Sequence, residues 1–266
     1  MDALVLKDSE FALFQKMIYE TAGINMSDAK KALVSGRLAK RVKHYGLSSF
    51  GEYFKLLNSD KRGEFQMAVD LLTTNETFFF REPKHFDFLR ERILPHWLNG
   101  PRRIWSAASS SGEEAYTLAM VLAAHARTAS WEIVGTDIST RVLQKARSGH
   151  YIMERSRNIP DTYLKKYCLK GTGTQDGTFL IGKELRDRVS FRHANLKTDL
   201  SQLGGFDLIM LRNVLIYFDI ETKQQVVAQV VRRLKPGGYL MVGHSESLNG
   251  ISRDVDVILP SVYRKS

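Results

Sequence analysis

The sequence predicts an all-helical N-terminal domain followed by a doubly wound α/β domain. Up to about residue 73 the apolar residues recur only with helical spacing, and beyond residue 74 short β-type runs alternate with helical segments. Between residues 151 and 188 glycines punctuate short runs, which predicts a small antiparallel β insertion. We therefore expect domains at 1–73 and 74–266, with the insertion at 151–188.

The individual elements follow from caps, turns and periodicity. Each helix of the first domain opens near a capping or turn residue, and the helices are predicted at 9–22, 27–45, 48–57 and 61–72. A helix near 82–97 precedes the strands, which are predicted at 103–107, 132–137, 189–193, 206–211, 239–243 and 262–264. The Lys-Pro-Gly-Gly segment at 235–238 is typical of a turn.

The composition is typical of a soluble globular protein without a membrane span. Of the 266 residues 43% are hydrophobic, and no apolar run reaches the roughly 18–20 residues that a span needs. The acids Asp2 and Asp8 are unlike a signal peptide, so we expect a cytoplasmic protein. The single cysteine, Cys168, excludes an internal disulfide and a cysteine-rich zinc site.

The net charge of +10 predicts an acidic partner. Nucleic acid is the commonest such partner, but acidic protein surfaces and anionic membranes attract the same charge. Part of the excess lies on the second predicted helix, where Arg37, Lys40, Arg41 and His44 recur at helical spacing with Lys30 nearby. This stripe is either a docking surface or a solvated face.

A strand that ends in small residues and then opens a helix is the first candidate ligand site. Residues 105–114 read Trp-Ser-Ala-Ala-Ser-Ser-Ser-Gly-Glu-Glu. Small side chains let the backbone approach a ligand closely, and the helix start presents unpaired N–H groups. Glu113 and Glu114 would repel a pyrophosphate but suit an ammonium or sulfonium cation, such as that of S-adenosylmethionine. The alternative is an ordinary helix start without a ligand.

A second acidic position favours a site. Residues 131–137 predict a short buried strand that ends at Asp137. It lies about 20–25 residues beyond the first turn, where open α/β folds place the acid that binds ribose hydroxyls. The alternative is that Asp137 only caps the helix that begins near Ser139. Together with the first turn, the spacing favours Asp137 as a ribose ligand.

Five motifs, taken together and in order, carry a family resemblance. They are Thr-Thr-Asn-Glu-Thr-Phe-Phe-Phe-Arg-Glu at 73–82, the loop at 106–114, Arg-Asn-Val-Leu-Ile-Tyr-Phe at 212–218, Leu-Lys-Pro-Gly-Gly at 234–238 and Gly-His-Ser-Glu-Ser at 243–247. They resemble the chemotaxis receptor methyltransferase family, the CheR type, over nearly the whole chain. The resemblance implies a Rossmann-like domain that moves a methyl group from S-adenosylmethionine to glutamates on the cytoplasmic helices of chemoreceptors, which leaves S-adenosylhomocysteine.

The resemblance also implies which residues contact the cofactor. They lie in the segment that links the two domains, in the first turn and at the ends of three strands: Asn75, Thr77, Arg81, Glu113, Glu114, Asp137, Asn195, Leu196, Arg212 and Asn213. Arg81 and Arg212 would balance the carboxylates around the cofactor. Which of the two adjacent glutamates makes the contact stays open. The three phenylalanines at 78–80 are expected in the core.

In this family the helical domain meets the receptor through a basic helix. The β insertion of some members binds a peptide at the receptor's C-terminal tail, and the Lys-Gly-Thr-Gly segment at 170–173 resembles theirs. The receptor contacts implied here are Arg37, Lys40, Arg41, Gly171, Gly173 and Gly177. We expect a monomer that binds no nucleic acid and does not insert into a membrane.

The chemistry of the substrate predicts a reaction without a general base. A glutamate is ionised at neutral pH, so its carboxylate can attack a sulfonium methyl without losing a proton. The enzyme must position and desolvate it. Tyr217, after the end of the fourth strand, is predicted to orient the attacking oxygen, with Arg81 as the second catalytic residue. We expect no metal, because His244 and Glu246 have no third ligand nearby in the sequence.

Two other functions stay open as alternatives. A nucleic-acid methyltransferase would need an Asn/Asp-Pro-Pro-aromatic motif or a Pro-Cys nucleophile. Instead, Arg212, Asn213 and Val214 follow the fourth strand, and Tyr167 precedes Cys168. A non-catalytic receptor-binding adaptor would have no need of the cofactor positions, which this chain retains. The sequence therefore favours the methyltransferase.

Overall fold

The computed structural model describes residues 4–59, 63–126 and 130–266, and its N-terminal part is helical. The helices of this part are α1 (Asp8–Ala22), α2 (Lys31–His44), α3 (Phe50–Asn58) and α4 (Glu64–Leu72). Their apolar faces enclose a core of their own, which includes Phe14, Leu38, Tyr53 and Val69. The predicted all-helical part is confirmed, although the start predicted for its fourth helix, at 61, lies outside the described residues.

The rest of the chain alternates strands and helices. The elements are α5 (Lys84–Phe88), β1 (Arg102–Ala107), α6 (Glu113–His125), β2 (Trp131–Asp137), α7 (Thr140–Ser148), β3 (His150–Ile152), α8 (Asp161–Tyr167), β4 (Cys168–Lys170), β5 (Thr178–Ile181), α9 (Lys183–Arg186), β6 (Val189–His193), β7 (Phe206–Leu211), α10 (Ile220–Arg233), β8 (Leu234–Val242), β9 (Asp256–Leu259) and β10 (Val262–Arg264). The alternation matches the predicted α/β class.

Seven strands of the described residues form one sheet in the order β6-β2-β1-β7-β8-β10-β9. The five strands from β6 to β8 are parallel, whereas β10 is antiparallel to both of its neighbours. The chain runs outward from β1 through β2 to β6 and then returns to β7, on the other side of β1. Open α/β sheets bind ligands at such a reversal, outside the carboxyl ends of the strands. The doubly wound fold is confirmed.

Apolar side chains fill both faces of this sheet. In β1, Ile104 belongs to one core and its neighbour Trp105 to the other, as the alternation of a strand requires. Helix α6 contributes Leu118 and Met120 to the first core, and α10 contributes Val227 to the second. Helices therefore cover both faces of the sheet.

The predicted insertion forms a three-stranded antiparallel sheet, in the order β3-β5-β4 among the described residues. Phe179 of β5 stacks on Tyr151 of β3 with ring centroids 5.6 Å apart, and both rings contact Phe79. This aromatic cluster joins the insertion to the segment that links the two domains. Strand β4 lies at an edge, with Leu169 60% exposed.

The helix predicted at 82–97 differs from the observed one. The α-helical part, α5, spans only five residues and is followed by a π-helical turn at Leu89–Ile93 and a 3₁₀ turn at Leu94–His96. Pro95 has no N–H to donate to the preceding turn, so the α-helical ladder cannot continue through it. No helix of the described residues combines the length and the apolar character that a membrane crossing requires.

The turn predicted at 235–238 is wrong. These residues lie inside β8, where Gly237 adopts a φ of 72° and the register with β7 shifts. A bulge in a strand and a turn both use glycine in the left-handed region, so the local sequence does not separate them. Strand β9 was not predicted, because all four of its residues are exposed and show no alternation.

Candidate functional site

A cleft of about 990 Å³ opens at the carboxyl ends of the parallel strands, beside the helical part. Residues from the helical part, the linking segment and four strand-end loops line it. They include Asn75, Thr77, Phe78, Arg81, Ser110, Glu114, Asp137, Ile138, Asn195, Leu196, Arg212, Asn213 and Tyr217.

The turn after β1 brings the backbone close to the cleft. Ala108 and Ser110 adopt left-handed φ angles of 57° and 50°, and Gly112 adopts one of 95°. A Cβ at Gly112 would lie 2.9 Å from the Cβ of Ala146, so a larger residue does not fit. Unusual backbone conformations of this kind cluster at ligand sites. Gly112 is thus required by the packing of the turn, and the close approach of the turn to a ligand stays a prediction.

The two glutamates at the start of α6 point to different places. Glu114 lines the cleft, where its carboxylate accepts hydrogen bonds from the Ser106 hydroxyl at 2.7 Å and from Arg212 at 3.1 Å. Glu113 is fully buried away from the cleft and pairs with Arg155 at 3.1 Å. Burial raises the pKa of both carboxyl groups. Of the two acids, the cleft wall contains Glu114, so the predicted cofactor contact of Glu113 is not supported.

Asp137 lies at the end of β2, where the ribose ligand was predicted. Its Oδ2 accepts a hydrogen bond from the N–H of Ser110 and its Oδ1 one from the N–H of Ser139, both at 2.9 Å. Burial raises the pKa of Asp137 to about 6. The N-cap side chain of α7 is that of Ser139, which accepts from Val142, so Asp137 is not the N-cap residue. That Asp137 binds a ribose stays a prediction.

The segment that links the helical part to the sheet passes along the cleft at Asn75 and Thr77. The carbonyl of Asn75 accepts a hydrogen bond from the Ser110 hydroxyl at 2.8 Å. The carbonyl of Thr77 accepts one from Arg155 at 2.6 Å. Because Arg155 also pairs with Glu113, that buried glutamate acts on the cleft indirectly, by fixing the arginine that holds the linking segment.

The three phenylalanines at 78–80 do not share one environment. Phe79 is fully buried and Phe80 is partly buried against the same core. Phe78 is 38% exposed and lines the cleft, with the Arg81 guanidinium over its ring at 5.6 Å from the centroid. The prediction of a core position is therefore wrong for Phe78. Its ring instead lies beside the arginine predicted to be catalytic.

Asn195 and Leu196 line the cleft after β6, as predicted. The Asn195 amide donates to the carbonyl of Thr21 at 2.6 Å, and its oxygen accepts from the N–H of Lys197 at 3.0 Å. These contacts join the strand-end loop to helix α1. The Asn195 side chain thus has a structural partner in the helical part in addition to its place at the cleft.

A charged network after β7 includes a residue that the sequence reasoning missed. Arg212, almost fully buried, donates to Glu82 at 2.9 Å and to Glu114 at 3.1 Å. Asn213 donates to the same Glu82 at 3.1 Å. Burial opposes ionisation of Glu82, but the hydrogen bonds from Asn213 and Arg212 lower its pKa to about 2. Glu82 is the last residue of the motif at 73–82, but the spacing of that motif does not indicate that Arg212 and Asn213 are its partners.

Glu246 is a second residue that the sequence reasoning left without a role. Its carboxylate accepts backbone hydrogen bonds from Asn213 at 2.8 Å, from Gly243 at 2.6 Å and from Ile216 at 3.3 Å. Asn213 itself adopts a left-handed φ of 57°. Glu246 therefore holds the loop after β7, which carries Tyr217, in one conformation.

Tyr217 lines the cleft together with Arg81. Burial raises the pKa of the Tyr217 hydroxyl, although the positive charge of Arg81 opposes the shift. The hydroxyl is therefore protonated at neutral pH and can donate a hydrogen bond. The backbone carbonyl of Tyr217 accepts a hydrogen bond from the N–H of Asn25 at 2.8 Å, which links this loop to the helical part.

Three potential metal ligands lie close together beside the cleft. Glu82, His85 and His244 each offer one ligand atom, all within 4.8 Å of one another. Arg212 already pairs with Glu82, and its positive charge opposes a cation at this position. Glu246, which the sequence set beside His244, instead binds the loop after β7. That the chain binds no metal stays a prediction.

The basic stripe of α2 divides into two groups. Arg41 donates to both carboxylate oxygens of Glu64, at 2.7 and 2.6 Å. Arg37 donates to the carbonyls of residues 71, 72 and 73 at 3.1, 3.3 and 3.0 Å. Both partly buried side chains therefore join α2 to α4, and their predicted contact with a receptor stays a prediction. Lys40 is exposed.

The glycines of the insertion shape the connection between β4 and β5. A Cβ at Gly171 would lie 1.9 Å from the carbonyl oxygen of Gln175, so a side chain does not fit there. Gly173 and Gly177 adopt left-handed φ angles of 59° and 75°. The three glycines predicted as receptor contacts therefore define the turn beside the exposed edge strand β4.

Comparison with known proteins covers both parts of the chain. Residues 9–73 match the family model described as "CheR methyltransferase, all-alpha domain", and residues 75–263 match "CheR methyltransferase, SAM binding domain". The chain is 40% identical to a chemotaxis protein methyltransferase of Escherichia coli (strain K12), over 100% of this chain and 93% of that protein.

Two further relatives are similar over almost their full length. A chemotaxis protein methyltransferase of Borreliella burgdorferi is 39% identical, with 98% of this chain and 95% of that protein covered. Chemotaxis protein methyltransferase 2 of Pseudomonas aeruginosa is 40% identical, with 96% and 92% covered. The helical part, the doubly wound sheet and the cleft between them agree with these matches. The chain belongs to the CheR methyltransferase family, and its cofactor is S-adenosylmethionine.

Proposed function

We propose that this chain transfers a methyl group from S-adenosylmethionine to glutamate side chains of chemoreceptors, which forms glutamate methyl esters for chemosensory adaptation. The observation that supports this most directly is one cleft that contains Asp137, Glu114 and Tyr217. The first two suit a cofactor with a ribose and a cationic group, and the third suits an acceptor with hydrogen-bonding oxygens. Relatives over the full length are named chemotaxis protein methyltransferases.

The donor set of the cleft fits S-adenosylmethionine. The Asp137 carboxylate has lone pairs left to accept hydrogen bonds from ribose hydroxyls. Glu82 and Glu114 are two carboxylates that share the single cation of Arg212, so charge on both leaves net negative charge beside the cleft for the cationic methionine portion. When bound, the cofactor supplies an electrophilic methyl group on a positively charged sulfur. The remaining cofactor contacts that we propose are Asn75, Thr77, Arg81, Asn195, Leu196, Arg212 and Asn213.

The acceptor carboxylate needs positioning rather than activation. With a pKa of about 4.3 it is ionised at neutral pH, so no base has to remove a proton. With bound cofactor, one of its oxygens would form the new bond to the methyl carbon as the methyl–sulfur bond breaks, so that a neutral thioether would remain on the cofactor. We assign the Tyr217 hydroxyl to orient that carboxylate and Arg81 to balance its charge. The walls of the cleft exclude water from it.

The exposed face of α2 is the surface that we propose for the receptor. Lys40 and Lys43 are both exposed and lie three residues apart, so they share a face of the helix. Their positive charge attracts an acidic receptor segment that carries several glutamates. Arg37 and Arg41 lie beside Lys40 on the same stripe, and their contacts fix α2 on α4.

The β insertion is proposed to bind the C-terminal peptide of a receptor. Strand β4 is an edge strand, and an extended peptide can add a strand to such an edge. The exposed Leu169 lies on that strand. Binding there would raise the local concentration of methylation sites. In this proposal the chain acts as a cytoplasmic monomer that does not insert into the membrane.

Incubation with methyl-labelled S-adenosylmethionine tests the proposal. The acceptors are the cytoplasmic fragment of a chemoreceptor, RNA and DNA, each in a separate reaction. We expect label only in the receptor fragment, released as methanol by mild base because it is held as an ester. Label in RNA or DNA would instead favour a nucleic-acid methyltransferase. No label anywhere, from protein that binds the cofactor, would favour a non-catalytic adaptor.

A further inference from the structure

A carboxylate of the helical part binds the start of a helix in the α/β part. Asp70, on α4, is 2% exposed. Its Oδ1 accepts hydrogen bonds from the N–H of Thr140 at 3.0 Å and from the Gln66 amide at 2.7 Å. Its Oδ2 accepts from the Thr140 hydroxyl at 2.8 Å and from the N–H of Arg141 at 3.0 Å. Both oxygens are thus fully engaged across the junction between the two parts.

The contacts lie where a helix needs hydrogen-bond acceptors. Thr140 and Arg141 are the first two residues of α7, where backbone N–H groups have no partner inside the helix. A carboxylate at a helix N-terminus satisfies such groups and also interacts favourably with the helix dipole. Ser139 supplies only the N-cap bond to Val142. Asp70 therefore completes the cap of α7 from another part of the chain.

The capped helix start directly follows the predicted ribose ligand. Only Ile138 and Ser139 separate Asp137 from α7, and Ile138 lines the cleft. The Gln66 amide, already bonded to Asp70, also donates to the carbonyl of Ile138 at 2.8 Å. The loop is thus held at its middle by Gln66 and at its end by Asp70.

We propose that Asp70 is a positioning residue for the cofactor: from the helical part it fixes the loop at 137–140, so that Asp137 and Ile138 face the adenosine portion. Asp70 does not line the cleft, so it acts through the loop and not by contact. The Asp70 carboxylate also lies near Asp137 and adds to the rise in the pKa of Asp137 that burial causes. This inference rests on cofactor binding in the cleft and requires no receptor.

Calorimetric titration with S-adenosylhomocysteine tests this role. Asp70→Ala should weaken binding about tenfold, as the loss of a helix cap that orders a binding loop predicts. Asp70→Asn should weaken it less, because one oxygen still accepts. In a separate assay of receptor methylation, which also rests on the proposed function, the single-turnover rate at saturating cofactor should match the wild type. The effect should then appear in KM for the cofactor and not in kcat. A wild-type Kd for Asp70→Ala would overturn the proposal.

Glu10→Gln is the matched control. Glu10 is another buried carboxylate of the helical part and accepts backbone hydrogen bonds from Lys7 and Gly51, far from the loop. This variant should lose thermal stability but keep the wild-type Kd. If it weakens cofactor binding as much as Asp70→Ala does, the effect is general destabilisation and the proposal fails.

Thr140→Val keeps the proposal testable should Asp70→Ala not fold. It removes the hydroxyl that donates to Asp70 and leaves the backbone contacts in place. We expect the Kd for S-adenosylhomocysteine to rise about threefold. In the double variant with Asp70→Asn the two effects should not add, because they act on one contact. Additive effects, or no effect of Thr140→Val, would contradict the proposal. The titrations measure only the Kd for S-adenosylhomocysteine and not receptor methylation. A chain that methylates no receptor could therefore still confirm or contradict the role of Asp70.

Discussion

Arg212 and Glu114 form a buried ion pair, with the guanidinium 3.1 Å from a carboxylate oxygen. The pair connects the end of β7 to the start of α6 and therefore spans the switch point of the sheet. Glu82 lies 2.9 Å from the same guanidinium, so two carboxylates share one cation. The removal of the cation leaves both carboxylates without their counter-charge in a poorly solvated place.

Arg212→Ala should lower the free energy of unfolding by about 3 kcal/mol, because it leaves uncompensated buried charge. Urea unfolding at neutral pH measures this. Arg90→Ala is the control, since Arg90 makes exposed pairs with Asp87 and Glu91 and should cost less than about 1 kcal/mol. Equal losses of unfolding free energy in the two variants would mean that burial of the Arg212 network contributes nothing to stability.

Asp137→Ala should weaken the binding of S-adenosylmethionine and S-adenosylhomocysteine by about tenfold to a hundredfold. The reason is the loss of a charge-assisted hydrogen bond to the ribose, which is worth roughly 1.5–3 kcal/mol. Calorimetry on the folded variant gives the two dissociation constants. Asp176→Ala, at an exposed position of the insertion, should leave both unchanged. Unchanged affinity in Asp137→Ala would remove Asp137 from the cofactor site.

The pH dependence of cofactor binding gives an independent check on Asp137. The pKa of Asp137 in the fold is raised from 3.8 to about 6. Ionised Asp137 therefore lowers the stability of the fold above pH 6, and this loss of stability decreases as the pH falls below that value. The ionised carboxylate accepts stronger, charge-assisted hydrogen bonds from ribose hydroxyls than the protonated form does. Affinity should therefore fall about tenfold between pH 7 and pH 5. Asp137→Asn should remove most of this dependence, and an equal slope in that variant would assign it to another group.

The sequence located the parts of the site that depend on short spacings. Asp137 ends a strand at the distance typical of a ribose ligand, and Glu113 and Glu114 open the helix after the first turn. Local patterns therefore indicated Asp137 and the pair of glutamates, but not which glutamate lines the cleft. Glu82 and Glu246 were missed because their partners at the end of β7, Arg212 and Asn213, lie 130 and 33 residues away in the sequence and come close only in the fold. The spacing of residues in the sequence does not show which of them become neighbours in the fold.

The basic stripe shows the same limit. Helical spacing correctly put Arg37, Lys40 and Arg41 on α2, but it could not show that α4 packs beside this helix. Arg41 donates hydrogen bonds to the buried Glu64, and Arg37 donates to carbonyls at the end of α4. Charge patterning predicts a basic helix, and packing decides which of its charges are free.

Charge reversal on the exposed face of α2 separates docking from cofactor binding. Lys40→Glu together with Lys43→Glu should raise KM for a receptor fragment about tenfold, because the attraction to an acidic segment becomes repulsion. The Kd for cofactor should not change, and salt should weaken wild-type docking. Arg232→Glu with Arg253→Glu changes the net charge equally at other exposed positions. If both double variants behave alike, the face of α2 is only a solvated surface.

The insertion can be tested through Gly171. Gly171→Ala should reduce the affinity for receptor tail peptides about tenfold, because its Cβ would collide with the Gln175 carbonyl and displace the turn beside β4. Peptide titration followed by fluorescence measures this. Gly36→Ala is the matched control, since no atom lies within 4 Å of the added Cβ. If wild-type protein binds no tail peptide at micromolar concentration, the tail contact does not exist.

The most direct test of the catalytic account is a rapid-quench single-turnover measurement of receptor methylation with saturating cofactor, as a function of pH. For the wild type we predict a rate that is flat between about pH 6.5 and 8.5, because the attacking carboxylate is already ionised. Tyr217→Phe should lower that rate by about tenfold to a thousandfold with little change in cofactor affinity. A rate that rises steeply through neutral pH in the methyl-transfer step, or a wild-type rate in Tyr217→Phe, would contradict catalysis by positioning at this cleft.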